Sequence, residues 1–313
     1  MPGQGVADAA AATAPATEVK AAVVRPRRGG TLRRLRGLLR HPRYALTVLG
    51  TLLLRPRLMR NSLRRGWRAA LLAECAALSP VVAGQISTYE AGFFGQVFVF
   101  DEYEVGRLHL PPRPRVCDVG ANVGFFSWRV ATLRPQATVL AFEPASDNVR
   151  RLRRTFSALG IAGEVCAQAC GSGAGQAVLY LRNSVTHSLD PGWHTDMDGG
   201  AGSEAVEVTT LDAECDRRGL TTLDLLKIDV EGAEVEVLRG ARAILPTTRY
   251  VVLEFHSPAA EAECRAILQD AGFRCRRKSF WGQQAGGEGL LLCSRSAAGS
   301  RDFQVPERSR NRL

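Results

Sequence analysis

From Arg115 onward the chain alternates short apolar runs with segments of helical period. That alternation is the signature of a parallel sheet with helices packed on it. The spacing predicts strands at 115–119, 138–142, 164–169, 223–228, 249–255, 273–277 and 290–293. It predicts helices near 124–133, 145–159, 232–243 and 258–271. The helix ends make chemical sense. Gly160 follows the second helix, and Gly240 then Pro246 follow the third. Ser257 and Pro258 supply an N-cap and a first-turn proline for the fourth, which Gly272 ends. Shorter runs at 177–181 and 206–211 predict an added hairpin. Residues 182–204 read as a long irregular loop, a feature that in a compact domain is usually functional or disordered. Upstream, the apolar run at 97–100 reads as an edge strand, and Pro111, Pro112 and Pro114 as a rigid approach to the main fold.

A length of 313 residues allows one sizeable domain with an appendage. The net charge of +10 is concentrated: fifteen Lys and Arg lie between Lys20 and Leu72, with no Asp or Glu among them. The remainder is slightly acidic, so the main domain is not a basic nucleic-acid binder. Residues 1–30 are rich in Ala, Thr, Pro and Gly and read as a disordered tail. Residues 31–79 read as basic amphipathic helical pieces broken by Pro42 and Pro56. Within them Leu63, Trp67 and Leu71 repeat at helical spacing among Arg64, Arg65 and Arg68. The apolar run at 44–54 is too short to cross a bilayer, which takes about twenty residues. Two readings stay open for residues 31–72: an anchor on an anionic membrane surface, or a helical cap packed on the main domain. The main domain is expected over 80–298, with a polar tail at 299–313. No signal-peptide pattern is visible in residues 1–19, and the eight Cys include no C-x-x-C pair. The reading is of a cytoplasmic protein with reduced, mostly buried thiols, peripheral on the cytosolic membrane face if the segment is an anchor.

Four motifs carry the chemistry. In Val116-Cys117-Asp118-Val119-Gly120-Ala121-Asn122-Val123-Gly124, small residues join a strand end to a helix start. The backbone can approach a ligand closely there, and the helix offers free N–H groups. A dinucleotide fingerprint would need G-x-G-x-x-G, but Asn122 and Phe125 stand at the second and third glycine positions. The spacing D-x-G-x-N-x-G is instead that of an adenosylmethionine loop. In Ala141-Phe142-Glu143-Pro144, Glu143 ends the second strand, where a carboxylate can accept hydrogen bonds from both hydroxyls of a ribose. In Leu226-Lys227-Ile228-Asp229-Val230-Glu231-Gly232-Ala233-Glu234, Asp229 sits at a strand's carboxyl end, where open α/β sheets bind ligands. Glu231 is either functional or a complement to the following helix dipole, and Glu234 reads as the latter. Lys227, inside an apolar strand, calls for a carboxylate partner such as Asp229. In Val251-Val252-Leu253-Glu254-Phe255-His256, His256 ends the fifth strand beside Asp229.

In this order the motifs resemble the FkbM family of methyltransferases, with the likeness running from Val116 to His256. It rests on DVGANVGFFS, AFEPASDN, TTLD at 209–212, LLKIDVEGAEVEVLRGA and VVLEFH. The resemblance implies a doubly wound, seven-stranded, Rossmann-like class I methyltransferase sheet carrying an Arg-rich helical extension. It implies S-adenosylmethionine as donor and, usually, O-methylation. It places Asp118, Gly120, Asn122, Gly124 and Glu143 on cofactor-binding positions, and Asp229 and Glu231 on the family's KIDVEG segment. The stretch 183–189, with His187, departs from the family's Gly- and Ser-rich pattern.

The expected reaction is methyl transfer to a hydroxyl of a sugar, glycolipid or natural product, with a small-molecule, glycan or lipid-linked acceptor. An alcohol attacks poorly until its proton begins to leave, so a base is needed. His256 and Asp229 are the candidates, with Glu231 beside them. A Mg²⁺ or Mn²⁺ held by Asp229, Glu231, Glu254 and His256 is a less favoured route, and no metal site is assigned. The loop at 182–204, with His187, Trp193, His194, Asp196 and Asp198, is expected to cover the acceptor. The alternative is a non-catalytic module that binds adenosylmethionine or serves as a membrane-surface scaffold.

Overall fold

The computed structural model describes residues 55–181, 187–190, 202–279 and 287–295. Residues 31–54 of the basic segment, both tails, and most of the loop expected to cover the acceptor, including Trp193, His194, Asp196 and Asp198, lie outside the described residues.

Among the described residues four helices come first: α1 (Pro56–Arg65), α2 (Trp67–Leu78), α3 (Pro80–Ala83) and α4 (Ala91–Phe94). Then β1 (Arg115–Val119), α5 (Phe125–Leu133), β2 (Thr138–Phe142), α6 (Ser146–Leu159) and β3 (Gly163–Cys166) follow in alternation. Strands β4 (Ala169–Cys170), β5 (Gly175–Leu181) and β6 (Gly202–Thr209) lead to α7 (Leu211–Arg217). The chain closes with β7 (Leu223–Ile228), α8 (Glu234–Arg239), β8 (Thr248–Phe255), α9 (Pro258–Asp270), β9 (Arg274–Lys278) and β10 (Gly289–Ser294). Among the described residues seven strands form one sheet in the order β3-β2-β1-β7-β8-β10-β9. The first five are parallel, and β10 runs antiparallel to both its neighbours. This is the doubly wound Rossmann-like sheet. Strand order reverses between β1 and β7, which opens a crevice at their carboxyl ends. A separate three-stranded sheet, β4-β6-β5, includes the expected hairpin as the antiparallel pair β5 and β6.

Successive residues of a strand face opposite sides, and here both sides are dry. Leu225 of β7, with Tyr250 and Val252 of β8, points into one core with Trp128 and Phe94. Leu226 and Ile228, with Val251, Leu253 and Phe255, point into the other with Leu238 and Leu268. Burial on both faces explains why these strands read as continuous apolar runs.

Several sequence expectations need correction. Residues 97–100 are not an edge strand: Gly95–Val99 is a π-helical turn, closed by the Phe100 N–H donating to Gly95 O at 3.0 Å. Helical spacing lets Phe98 stack on Phe94 with centroids 4.7 Å apart, and both rings meet Trp128. The third helix of the main domain, α8, is half its expected length: left-handed Glu231 (φ 52°) and Gly232 (φ 104°) delay its start, and it ends early at Arg239 with Gly240 as its C-cap. The run at 164–169 divides between β3 of the large sheet and β4 of the small one. Not all cysteines are reduced: Cys275 and Cys293 lie directly opposite in the β9–β10 register and form a disulfide. The other six are free, buried thiols.

The periodic Leu63, Trp67 and Leu71 do not share one face, because Gly66 separates α1 from α2. Leu63 is 83% exposed, while Leu71 is fully buried. Leu58, Ala70, Leu71 and Cys75 join the same core as Trp128 and Val252. Leu71 packs so closely under the π-helical turn that a Cβ on Gly95 would lie 2.7 Å from it. Leu71→Ala is therefore expected to cost about 2–5 kcal/mol in chemical denaturation, the loss of a core residue rather than of a detachable appendage.

Candidate active site

The crevice between β1 and β7 holds a cavity of about 70 Å³, lined by Gly120, Asn122, Glu143, His187, Asp229 and Glu231 among others. Its floor is set by backbone. Gly120 has φ 74°, and a Cβ there would fall 1.7 Å from Asp229 O. Only glycine lets the two strand ends meet. The Gly120 and Ala121 N–H groups both donate to Phe142 O, at 3.0 and 2.9 Å, which ties the loop to β2. Asn122, left-handed at φ 50°, then points its N–H at Glu143 Oε2 (2.8 Å). Glu143 Oε1 accepts from Ala145 N–H at 3.0 Å. Burial pushes the Glu143 carboxyl up to about 7, against the pull of the Ala145 and Asn122 N–H groups. A carboxylate held by two backbone donors, one on each oxygen, keeps acceptor capacity on both.

Asp118 and Gly124 take part differently. Asp118 is fully buried; Ser127 Oγ donates to its Oδ2 at 2.6 Å, and Lys227 Nζ stands 3.3 Å from its Oδ1. Its carboxylate is thus turned into the protein and braces the loop from behind. Gly124, at φ 93°, caps α5 above Leu152. Lys227 has the partner expected, Asp229 Oδ2 at 3.4 Å, and further ones in Asp118 and in Gly120 O at 2.6 Å. Burial alone would lower its pKa, but the charges of Asp118 and Asp229 raise it, so it stays an ammonium.

The other wall is acidic. Asp229, Glu231 and His256 bring one possible ligand atom each within 4.8 Å of one another. His256 Nε2 faces Glu231 Oε2 at 3.5 Å and Glu254 Oε1 at 3.6 Å. Its Nδ1 lies 2.5 Å from Glu234 Oε1, and the Glu234 side chain is fully buried. Glu234 is therefore not a mere complement to the helix dipole; it orients His256 and also accepts the Gly232 N–H at 2.8 Å. Burial would lower the His256 pKa, but Glu234, Glu254 and Glu231 raise it to about 10. Burial and the Asp229 charge hold Glu254 well above the usual carboxylate range. Of the residues in the loop expected to cover the acceptor, His187 lines the cavity, and burial lowers its pKa, leaving a neutral ring. The next residue, Ser188, donates to Glu231 O at 2.7 Å.

Sequence reasoning missed Tyr103. Its hydroxyl lies 3.2 Å from Asp229 Oδ2 and 3.3 Å from Glu254 Oε2. It sits in an irregular stretch far upstream, where neither period nor motif marks it.

A doubly wound sheet with a glycine-floored crevice, a carboxylate held by two backbone N–H groups at the end of β2 and an acidic wall at the end of β7 defines a Rossmann-like methyltransferase. The family model of the methyltransferase FkbM domain matches residues 118–275, and the chain belongs to that family. It is 35% identical over 224 residues to methyltransferase sdnD of Sordaria araneosa, covering 61% of this chain and 85% of that one. It is 31% identical over 219 residues to the 31-O-demethyl-FK506 methyltransferase FkbM of Streptomyces tacrolimicus, covering 60% and 84% respectively. It is 29% identical over 175 residues to the 2-O-methyltransferase NoeI of Sinorhizobium fredii, covering 50% and 70%.

Because Glu234 is the nearest anion to His256, Glu234→Gln is expected to lower the His256 pKa by about 1–3 units. Histidine titration by NMR measures it, and an unchanged midpoint would count against this coupling.

Proposed function

We propose that this enzyme transfers a methyl group from S-adenosylmethionine to a hydroxyl oxygen of a small-molecule acceptor: a sugar, a glycolipid or a natural product. The observation that carries the donor half is the position of Glu143, which faces the cavity from the end of β2 with each oxygen already aimed by a backbone N–H. Its carboxylate would receive the two ribose hydroxyls, with the Gly120–Asn122 loop beneath the donor. The relatives named for O-methylation support oxygen as the acceptor atom. The donor's sulfonium supplies the leaving group, so the protein's task is alignment and proton removal. Asp229 is favoured as the base, since it lines the cavity and His256 is held as an imidazolium at neutral pH. His256 and Glu231 then shape the charge around Asp229. The cluster of Asp229, Glu231 and His256 is assigned no metal in this reading.

Calorimetry with S-adenosylmethionine tests the donor half. In the free protein Glu143 loses its proton only near pH 7, and the neutral acid accepts fewer hydroxyl hydrogens than the carboxylate. Affinity is therefore expected to fall as pH drops below that value and to level off above it. Glu143→Ala should weaken binding tenfold or more, about 1.4 kcal/mol, and remove the pH dependence. Binding by the variant that matches wild type would overturn the assignment.

We also propose contact with an anionic membrane surface through the basic segment. Arg57, Arg60 and Arg64 are exposed along one side of α1, which carries no acidic residue, while Leu58 on the other side is buried. Co-sedimentation with phosphatidylserine vesicles, but not with phosphatidylcholine vesicles, is the expected outcome. Replacing the three arginines by glutamine should weaken it. Equal binding to both vesicle types would reject the idea.

A further inference from the structure

Four described residues other than glycine adopt left-handed backbone: Asp101, Glu104, Asn122 and Glu231. Asn122 and Glu231 line the cavity. Asp101 (φ 46°) and Glu104 (φ 53°) bracket Tyr103, which places this upstream turn in the same strained group. Conformations of this kind persist only where surrounding contacts over-determine them, and they gather at functional sites. The contacts are present. Asp101 Oδ2 accepts the Gly106 N–H at 3.2 Å. Glu104 is buried and receives Arg276 at 2.8 Å and Lys278 at 3.4 Å, both from the edge strand β9. The turn is thus clamped at each end, and Tyr103 is what it projects. The Tyr103 ring packs edge-on against Phe126, with centroids 5.4 Å apart.

The Tyr103 hydroxyl and the Lys227 ammonium both approach Asp229 through the same oxygen, Oδ2, at 3.2 and 3.4 Å. Two donors on one oxygen fix the carboxylate's rotation and leave Oδ1 for a further donor, and Asp229 lines the cavity. The same hydroxyl lies 3.3 Å from Glu254 Oε2, so it links the carboxylates at the ends of β7 and β8.

We propose that Tyr103 is a positioning residue for methyl transfer: its hydroxyl, aimed by the strained turn at 101–104, holds Asp229 by Oδ2 so that Oδ1 is presented to the hydroxyl of the acceptor. This rests on the reading of Asp229 as the acceptor's base. Tyr103 itself touches neither donor nor reacting atoms in this scheme. Removing its hydroxyl should slow turnover and leave donor binding alone.

The full-length protein and its Tyr103→Phe and Tyr103→Ala variants are assayed with radiolabelled S-adenosylmethionine against a panel of monosaccharides, uronic acids and hydroxylated macrolides. Tyr103→Phe keeps the ring and its packing, so its thermal midpoint and its Kd for S-adenosylmethionine should match wild type. Its kcat on whichever compound is methylated should fall roughly 10- to 100-fold, the loss expected when a reacting group is misplaced. A Tyr103→Phe kcat within about twofold of wild type would overturn the proposal, even if Tyr103→Ala unfolds, because the residue would then be structural. If wild type methylates nothing in the panel, the failure falls on the hydroxyl-transfer reading, and structures decide the positioning role. In crystals grown with S-adenosylhomocysteine, an Asp229 carboxylate rotated away from its wild-type orientation in Tyr103→Phe supports it. An unchanged orientation overturns it.

Discussion

The buried ammonium of Lys227 sits where the strand order of the large sheet reverses, and the rest of the crevice is registered to it. An ion in such a place costs several kcal/mol unless it is fully partnered. Here one nitrogen reaches Asp118 on the neighbouring strand behind the loop, Gly120 O in the loop, and Asp229 at the end of its own strand. It thereby joins the ends of β1 and β7 at the level where a ligand would lie. With those ends joined, Gly120 rests on the backbone of Asp229, Phe142 O receives two loop N–H groups, and the Asn122 N–H is delivered to Glu143. A single charge in the interior thus fixes both the floor of the cavity and the aim of its most exacting side chain.

The two halves of the crevice are built from different materials. The β1–β2 half relies on backbone N–H groups and one carboxylate, which gives a rigid surface for a ligand of fixed shape. The β7–β8 half is made of side chains: Asp229, Glu231, Glu254, His256, Glu234 and Tyr103 form a connected polar set. Such sets are worth more connected than as isolated pairs. They also keep charges of one sign close together, and the paired imidazolium of His256 and ammonium of Lys227 offset that cost.

What the sequence made legible follows from these materials. Strands β1, β2 and β7 have the predicted limits because double burial demands largely apolar runs ended by a turn, with the charges of Asp118 and Lys227 paired to each other. Gly120 and the placement of Glu143 were legible because close backbone approach allows few residue types and a carboxylate directly after an apolar strand stands at the rim of the crevice. Glu234 was misread because a glutamate in a first helical turn has a sufficient local explanation, and only tertiary packing shows its burial against His256. The strand expected at 97–100 failed because a short apolar run carries no period of its own, and Trp128 decides its conformation from outside. Tyr103 had no signal at all, since its role depends on a turn clamped by β9, more than 170 residues later in the chain. The disulfide was hidden for a related reason: spacing along the chain says nothing of strand register.

The contact between Gly120 and Asp229 O also governs how this scaffold could be re-engineered. With 1.7 Å between a hypothetical Cβ and that carbonyl, no side chain can be introduced at the base of the crevice without separating the two central strands. The base is therefore closed to mutagenesis, and diversity has to enter through the rim. There Gln168, His187 and Leu189 border the cavity without spanning the join between β1 and β7. A library confined to those three positions would reshape the rim while leaving the join between Gly120 and Asp229 intact, whereas one that included the glycine would mostly sample proteins that do not fold.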